Sequence, residues 1–288
     1  MKRAAFLLLV HSLMLVSVQV RAGEFGTKKY VEYVAGDLPL ILCSPHGGAL
    51  KPAGIPDRAY GVTGADAYTQ ELTRLVADEI EKLGGHRPYL VLSHLHRIKL
   101  DPNREVKEAA QGSPDAIQAW EEYHAFIEKA CEAAVKQHGI AFLIDMHGQS
   151  HQGERVELGY LHAPADLAKP AAVVNAAEFI EKGSLALLMT KSGLSYAELL
   201  HGPRSMGALL AARGYRSTPS PQMPVPDEPY FKGGYTVATH CQGLRTGFQL
   251  EANRSRIRDT PDNRLKFARA CAAALEEYLS THLKISLR

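Results

Sequence analysis

The chain lacks an excess of charge of either sign. Its 33 Lys and Arg stand against 31 Asp and Glu, a formal net charge of +2. That removes the electrostatic case for nucleic acid as a partner. It also lacks internal repeats and long low-complexity tracts, which sets aside repeat architectures. Cysteine is scarce: Cys43, Cys131, Cys241 and Cys271 are the four present, and none has the close spacing of a metal finger. Cys131 and Cys271 lie in apolar helical stretches and read as core residues. Cys43 and Cys241 each lie near a histidine, and a bridge between them belongs to one of the three ways four cysteines can pair. Beyond the N-terminus no apolar run approaches the roughly 20 residues that span a bilayer, so no stable membrane span is expected in the mature chain.

The N-terminus itself is distinctive. Lys2 and Arg3 precede an apolar core from Ala4 to Val20, and Val20-Arg21-Ala22 puts small residues at the −3 and −1 positions before Gly23. This is the pattern of a signal peptide over residues 1–22, and it predicts a secreted or periplasmic protein. Hydrophobic residues at 45% and charged residues at 22% are ordinary for a globular chain. Residues 23–288 are therefore expected to form a single α/β domain.

Strands are expected at Tyr30 to Val34, Leu38 to Cys43, Pro88 to Leu95, Ile140 to Asp145, Val156 to Leu161 and Thr246 to Glu251. Helices are expected at Ala65 to Leu83, which Gly84-Gly85 stops, and at Ser113 to His138, with Pro114 in the first turn and Gly139 as terminator. Further helices are expected at Ala171 to Leu188, Ser205 to Arg213 and Pro261 to Leu283. The segment from Ser217 to Pro229 is too rich in proline for regular structure. It reads as the rim of a site rather than a plain linker, and it leads into Tyr230 to Tyr235 and a strand ending at His240. Strands alternating with helices predict a three-layer α/β/α domain around a mixed, largely parallel sheet.

Two apolar runs end in histidine. Phe142-Leu143-Ile144-Asp145-Met146-His147-Gly148 delivers an imidazole with a carboxylate two residues behind it, and Leu40-Ile41-Leu42-Cys43-Ser44-Pro45-His46-Gly47-Gly48 delivers another into a glycine turn. In open α/β sheets ligands gather at the carboxyl ends of strands. Two imidazoles there suit a divalent metal, most often zinc, and predict one Zn2+ per chain. A hydrolytic site needs a third ligand. Asp66, at the start of the helix that follows the His46 strand, is preferred; Asp57, in the connecting loop, is the alternative, and Asp66 also suits an ordinary first-turn acid. Asp145 shares a strand face with His147 and would orient it. Glu251, ending the apolar run Gly247 to Glu251, is the candidate general base, against a salt bridge to Arg254 or Arg256. In the cation-rich stretch Arg97 to Arg104, the pair Asn103-Arg104 suits an acidic substrate, whereas Lys99 reads as solvated. His94, His96, His138, His151, His162 and His201 show no ligand spacing and read as surface or structural residues.

Taken in order, four elements resemble the N-formylglutamate amidohydrolase family: Ser44-Pro45-His46-Gly47-Gly48, Arg97 to Arg104 as R-x-x-x-D-x-N-R, Ile144-Asp145-Met146-His147, and Gln249-Leu250-Glu251-Ala252-Asn253-Arg254. The segment Tyr230 to Tyr235 is also similar. The resemblance spans most of the chain from Tyr30 to the last helix. It implies a place near the zinc carboxypeptidases and aspartoacylases, with a phosphorylase/hydrolase-like fold. It also implies His46 and His147 as zinc ligands, Glu251 as general base that later donates the proton to the leaving amine, Asn103 and Arg104 on a substrate carboxylate, and Arg97 on the oxyanion. Position 49 departs from the related enzymes: it is Ala where they carry a Glu ligand, so the third ligand must come from elsewhere. The function expected is a metal-dependent amidohydrolase acting on a linear amide in a small carboxylate-bearing N-acyl amino acid. A zinc peptidase acting on peptides or cell-wall fragments, and an exported binding protein without turnover, are the alternatives.

Overall fold

A computed structural model of the chain describes residues 23–288. The expected leader, residues 1–22, lies outside the described residues.

Eight strands form one sheet: β1 (Glu24–Phe25), β2 (Val31–Val34), β3 (Leu40–Ser44), β4 (Tyr89–Ser93), β5 (Ala141–Gln149), β6 (Val156–Gly159), β7 (Ser217–Thr218) and β8 (Arg245–Asn253). Their order is β1-β2-β4-β3-β5-β8-β6-β7. The centre, β4-β3-β5-β8, is parallel. Antiparallel pairs flank it on both sides, β2 on β4 and β6 on β8. The mixed, mostly parallel sheet is the one expected.

Alternation along the strands splits the apolar residues between two cores. Leu40 and Leu42 face one side with Phe142, Ile144, Phe248 and Leu250; Ile41 and Cys43 face the other with Val91, Ala141 and Leu143. The first face is covered by α1 (Thr69–Gly84) and a long final helix, Pro261–Leu283, through Leu72, Val76, Ile80, Phe267, Cys271 and Leu275. The second face is covered chiefly by another long helix, Pro114–His138, through Tyr123, Ile127 and Cys131. This helix starts and stops as its sequence predicts: Pro114 occupies the first turn, and Gly139 ends it at φ 75°, its N–H on the Val135 carbonyl. All four cysteines are free thiols, so the Cys43–Cys241 bridge is not made; Cys131 and Cys271 are core residues, as expected.

Three expectations of local structure need correction. The helix expected over Ala171 to Leu188 is three short ones, Ala171–Val174, Ala177–Ile180 and Ala186–Ser192. Asn175 leaves the helical path to cap Ala197 N with its side chain (2.9 Å). Gly183 passes so close to Tyr196 and His162 that a Cβ would collide with both. The helix expected from Ala65 begins at Thr69, because Tyr68 takes a left-handed conformation (φ 68°) before it. The strand expected to end at His240 is a helix, Tyr235–His240. Its β-branched residues suggested a strand, but Thr236 N is capped by Asn103 Oδ1 (2.9 Å), a partner 133 residues away. Local propensity carries no trace of that contact.

Candidate metal centre

The parallel strands β3, β5 and β8 bring the expected residues to one edge. In register, His147 on β5 lies opposite Glu251 on β8, and Asp145 lies opposite Gln249. His46 follows the end of β3 in a turn that requires glycine. A Cβ on Gly47 would lie 2.6 Å from Thr69 Oγ1 and 2.7 Å from Gln70 N, at the start of α1. That close approach also holds Asp66, whose N–H donates to the His46 carbonyl (3.0 Å).

His46, Asp66 and His147, all buried, form a group whose ligand atoms can hold a metal ion. The two Nδ1 atoms are 3.1 Å apart, and Asp66 Oδ2 lies 3.4 Å from His46 Nδ1 and 3.2 Å from His147 Nδ1. Two donors each about 2.1 Å from one ion at tetrahedral angles are about 3.4 Å apart, so the triad has the spacing of a shared ion. Each imidazole has its other nitrogen on a buried carboxylate. His46 Nε2 donates to Asp101 Oδ1 (2.6 Å), and His147 Nε2 donates to Asp145 Oδ2 (2.9 Å). Those bonds fix the proton on Nε2 and leave the Nδ1 lone pairs turned toward Asp66. Asp57, the alternative ligand, is mostly exposed and paired with Lys99 at 2.7 Å; it takes no part.

The electrostatics follow from two imidazoles among four buried carboxylates. Burial opposes charge on His147, but Asp145, Asp66 and Glu251 outweigh it and push its pKa well up. Burial likewise opposes the Asp66 carboxylate, yet His147 and His46 hold it well below the usual range. Asp101 is held down against burial by His46 and Arg97. Glu251 goes the other way. Burial pushes it up to about 8, with Asp66 and Glu157 adding to the rise and His147 opposing it. It is not paired with Arg254 or Arg256. Gln249 Nε2 donates to Oε1 (2.7 Å), and Oε2 has no hydrogen-bond partner among the described residues.

A cavity of about 280 Å³ opens over the triad. Arg97, Asn103, Arg104 and Glu251 all line it. Arg97 is fixed through Nε to Asp101 (2.9 Å) and lies 3.7 Å from Asp66. Asn103 Nδ2 lies 3.2 Å from His147 Nε2. Arg104 is the more exposed cation, 3.3 Å from Glu108. Phe231, Gly233 and Gly234 also line the cavity, whereas no residue of the proline-rich segment from Ser217 to Pro229 does, so the wall is formed by the residues after that segment and not by the segment expected as a rim.

Sequence reasoning missed two participants. Asp101 was visible inside the R-x-x-x-D-x-N-R element, but its role behind His46 depends on a contact spanning 55 residues. His151 reads from the sequence as a surface or structural residue and is indeed outside the ligand triad, but it lines the cavity.

The fold has solved counterparts. It is shared with N-formylglutamate amidohydrolase from Ralstonia eutropha JMP134, at a TM-score of 0.51 and 15% identity over 86% of this chain and 95% of that one. A gene product of Agrobacterium tumefaciens aligns at a TM-score of 0.50 and 13% identity, over 90% of this chain and 99% of its own. At such identities the likeness is one of fold. No protein-family profile and no curated protein matches the chain.

Proposed function

We propose that the chain is a zinc-dependent hydrolase cleaving the C–N amide bond of a small carboxylate-bearing N-acyl amino acid, of the N-formylglutamate type. The observation that supports this reading is the buried His46–Asp66–His147 triad with Glu251 beside it on the same cavity. His46 and His147, through Nδ1, and Asp66 would hold the ion. When bound, zinc supplies Lewis acidity toward a carbonyl and toward water.

The rest is the work of the chain's own groups. Asp101 and Asp145 hold the imidazoles in the tautomer that presents Nδ1. Glu251, with a buried and unpartnered oxygen, takes a proton from water entering the cavity; burial makes it a stronger base than an exposed carboxylate. Arg97, which lines the cavity, steadies charge developing on the carbonyl oxygen. Asn103 and Arg104 bind the substrate carboxylate, the guanidinium supplying a fork of donors. A longer, peptide-like substrate is the second reading. A neighbouring cavity of about 490 Å³, lined by Tyr60, Lys107 and Tyr235, shares Asn103 and Arg104 with the first.

Metal analysis is the first test. About one zinc per chain, lost in His147→Ala, is expected; unchanged stoichiometry in the variant refutes the ligand assignment. A substrate panel then separates the readings: faster cleavage of acyl amino acids supports the first, faster cleavage of peptides the second. Export rests on residues 1–22, and N-terminal sequencing of the secreted or periplasmic protein should begin near Gly23.

A further inference from the structure

His151 lies just past β5, on the wall of the cavity that opens over the triad. Its Nδ1 meets Glu157 Oε1 at 2.9 Å. Glu157 is fully buried on β6, where Arg155 Nε donates to Oε1 (3.0 Å) and Phe231 N to Oε2 (3.0 Å). Arg155 balances its charge, so the carboxylate stays ionised in the interior. A carboxylate only accepts. The neutral His151 ring therefore keeps its proton on Nδ1 and presents Nε2 as a lone pair. No group among the described residues donates to that lone pair. The pose is held: the His151 N–H donates to Gln149 Oε1 (2.6 Å), its carbonyl accepts from Asn253 Nδ2 (2.9 Å), and Phe231 packs against the ring at 4.9 Å.

Two relations place this acceptor relative to the scissile bond. Glu157 is the cross-strand partner of Glu251, so both hang from the same face of neighbouring strands about 4.8 Å apart. With β5 on the other side of β8, the anchor of His151 lies one strand beyond Glu251 and away from the triad. The cationic end of the cavity lies elsewhere along the wall. Asn103 abuts Gly234, where a Cβ would be 2.2 Å from its Nδ2, whereas His151 abuts Phe231. The strip from Phe231 to Gly234 spans at most about 10 Å. A substrate with its carboxylate on Asn103 and Arg104 and its carbonyl at the triad then directs its acyl group toward His151. What waits there is a neutral acceptor beside the Phe231 side chain, a residue 45% exposed. We propose that His151 Nε2 and the Phe231 ring form an acyl-side subsite that selects acyl groups carrying a neutral O–H or N–H donor next to the carbonyl. The α-hydroxyl of a hydroxy acid and the peptide N–H of an acylated amino acid both have that chemistry. The inference rests on the amidohydrolase reading above and narrows the acyl part of its substrate. His151 takes and gives no proton in this role; it accepts one hydrogen bond.

The test uses matched pairs of glutamate amides on the zinc-loaded chain. One pair is lactyl-glutamate and its O-methyl ether; the other is N-acetylalanyl-glutamate and its analogue methylated on the alanyl nitrogen. Within a pair, methylation removes the donor. The wild-type chain should favour the donor member of at least one pair by about 10-fold in KM, the span of one hydrogen bond, with kcat within about threefold, because the contact is made before and during bond cleavage. The pair that responds identifies the source of the donor. His151→Asn keeps a donor for Glu157 but has no atom in the place of Nε2, and should level the pair to within about twofold. A preference that persists in His151→Asn reports the bulk of the methyl group and overturns the proposal, as does equal KM within both pairs. Calorimetry on zinc-loaded Glu251→Gln repeats the comparison as Kd without turnover, and binding of none of the four compounds also overturns it. Ring 15N spectra of the wild-type chain need no variant: the neutral His151 ring should show an unprotonated Nε2, and a proton there refutes the acceptor. Cleavage without preference sinks the subsite alone. A preference in Kd with no cleavage of any pair or of N-formylglutamate sinks the hydrolase reading and leaves the subsite as a binding site.

Discussion

At the scale of single residues, the site is a set of paired commitments. Each candidate ligand imidazole spends one nitrogen on a buried aspartate, so each aspartate governs where the other nitrogen points. Asp101→Asn and Asp145→Asn each remove that orienting charge. Each should weaken zinc binding by about 10- to 100-fold without abolishing it, measured by competition with a chelator of known affinity; an unchanged affinity in both variants would show that the carboxylates do not orient the ligands. Glu251→Gln is the complementary change. It keeps the shape and removes the base, so zinc content should hold while kcat falls by about 100- to 10,000-fold. If turnover survives, the proton goes elsewhere. Under the proposed function, Asp101 and Asp145 would act through the imidazoles and Glu251 on the guest, and the two sets of variants separate those roles.

At the scale of elements, the ends of β5 and β8 and the turn carrying Asp66 are locked by one buried side chain. Arg258 donates from Nε to the Ala252 carbonyl (2.9 Å), from Nη1 to Ala67 (2.5 Å) and from Nη2 to Gln149 (2.8 Å). Gly148 lies against it: a Cβ there would be 2.2 Å from the guanidinium carbon. The Gly148 N–H also donates to Asp66 Oδ2 (3.1 Å). Gly148→Ala should therefore cost about 1–3 kcal/mol by overpacking and weaken zinc binding in the same variant. Urea unfolding beside Gly64→Ala, where a Cβ meets nothing within 4 Å, checks this; equal stability of the two variants would refute it. The same comparison of elements explains what the sequence could reveal. Helices Pro114–His138 and Pro261–Leu283 carry their own start and stop signals, and the strands bearing Asp145, His147 and Glu251 are continuous apolar runs, so both were legible. The fragmented stretch from Ala171 to Ser192 and helix Tyr235–His240 depend on distant side chains, and no local pattern records them. Asp66 and Asp57 are alike in local sequence, and it is the packing of the His46 turn on the start of α1 that brings Asp66 to the imidazoles. Asp101 and His151 needed the fold before either had a partner.

At the scale of the whole molecule, buried histidines set how stability varies with pH. His124 and His240 stack at 5.2 Å with their nitrogens 2.9 Å apart, and His162 stacks on Phe179 at 4.2 Å. Burial pushes all three down to about 4, against about 6.5 in an unfolded chain. Between these values the unfolded state binds more protons than the folded one. Stability should therefore fall as pH drops from about 6.5 to about 4, and these groups add no further loss below that. His147 works in the opposite sense and in another window. Its pKa is raised in the metal-free fold despite burial, because Asp145, Asp66 and Glu251 favour its charged form. Its contribution is complete below about 6.5 and is lost as pH rises through the raised value. In the proposed site a ligand imidazole must be neutral, so zinc would displace that proton and remove the alkaline dependence. Glu251, pushed up to about 8, adds a decline of its own as pH rises toward that value, so the comparison is made in Glu251→Gln: its urea unfolding from pH 4 to 9, with zinc and with chelator, should show one acid limb common to both and an alkaline decline confined to the metal-free chain. His240→Gln should shallow the acid limb by removing one of the three protons. An alkaline decline that persists at saturating zinc would mean that His147 keeps its proton and does not bind the metal.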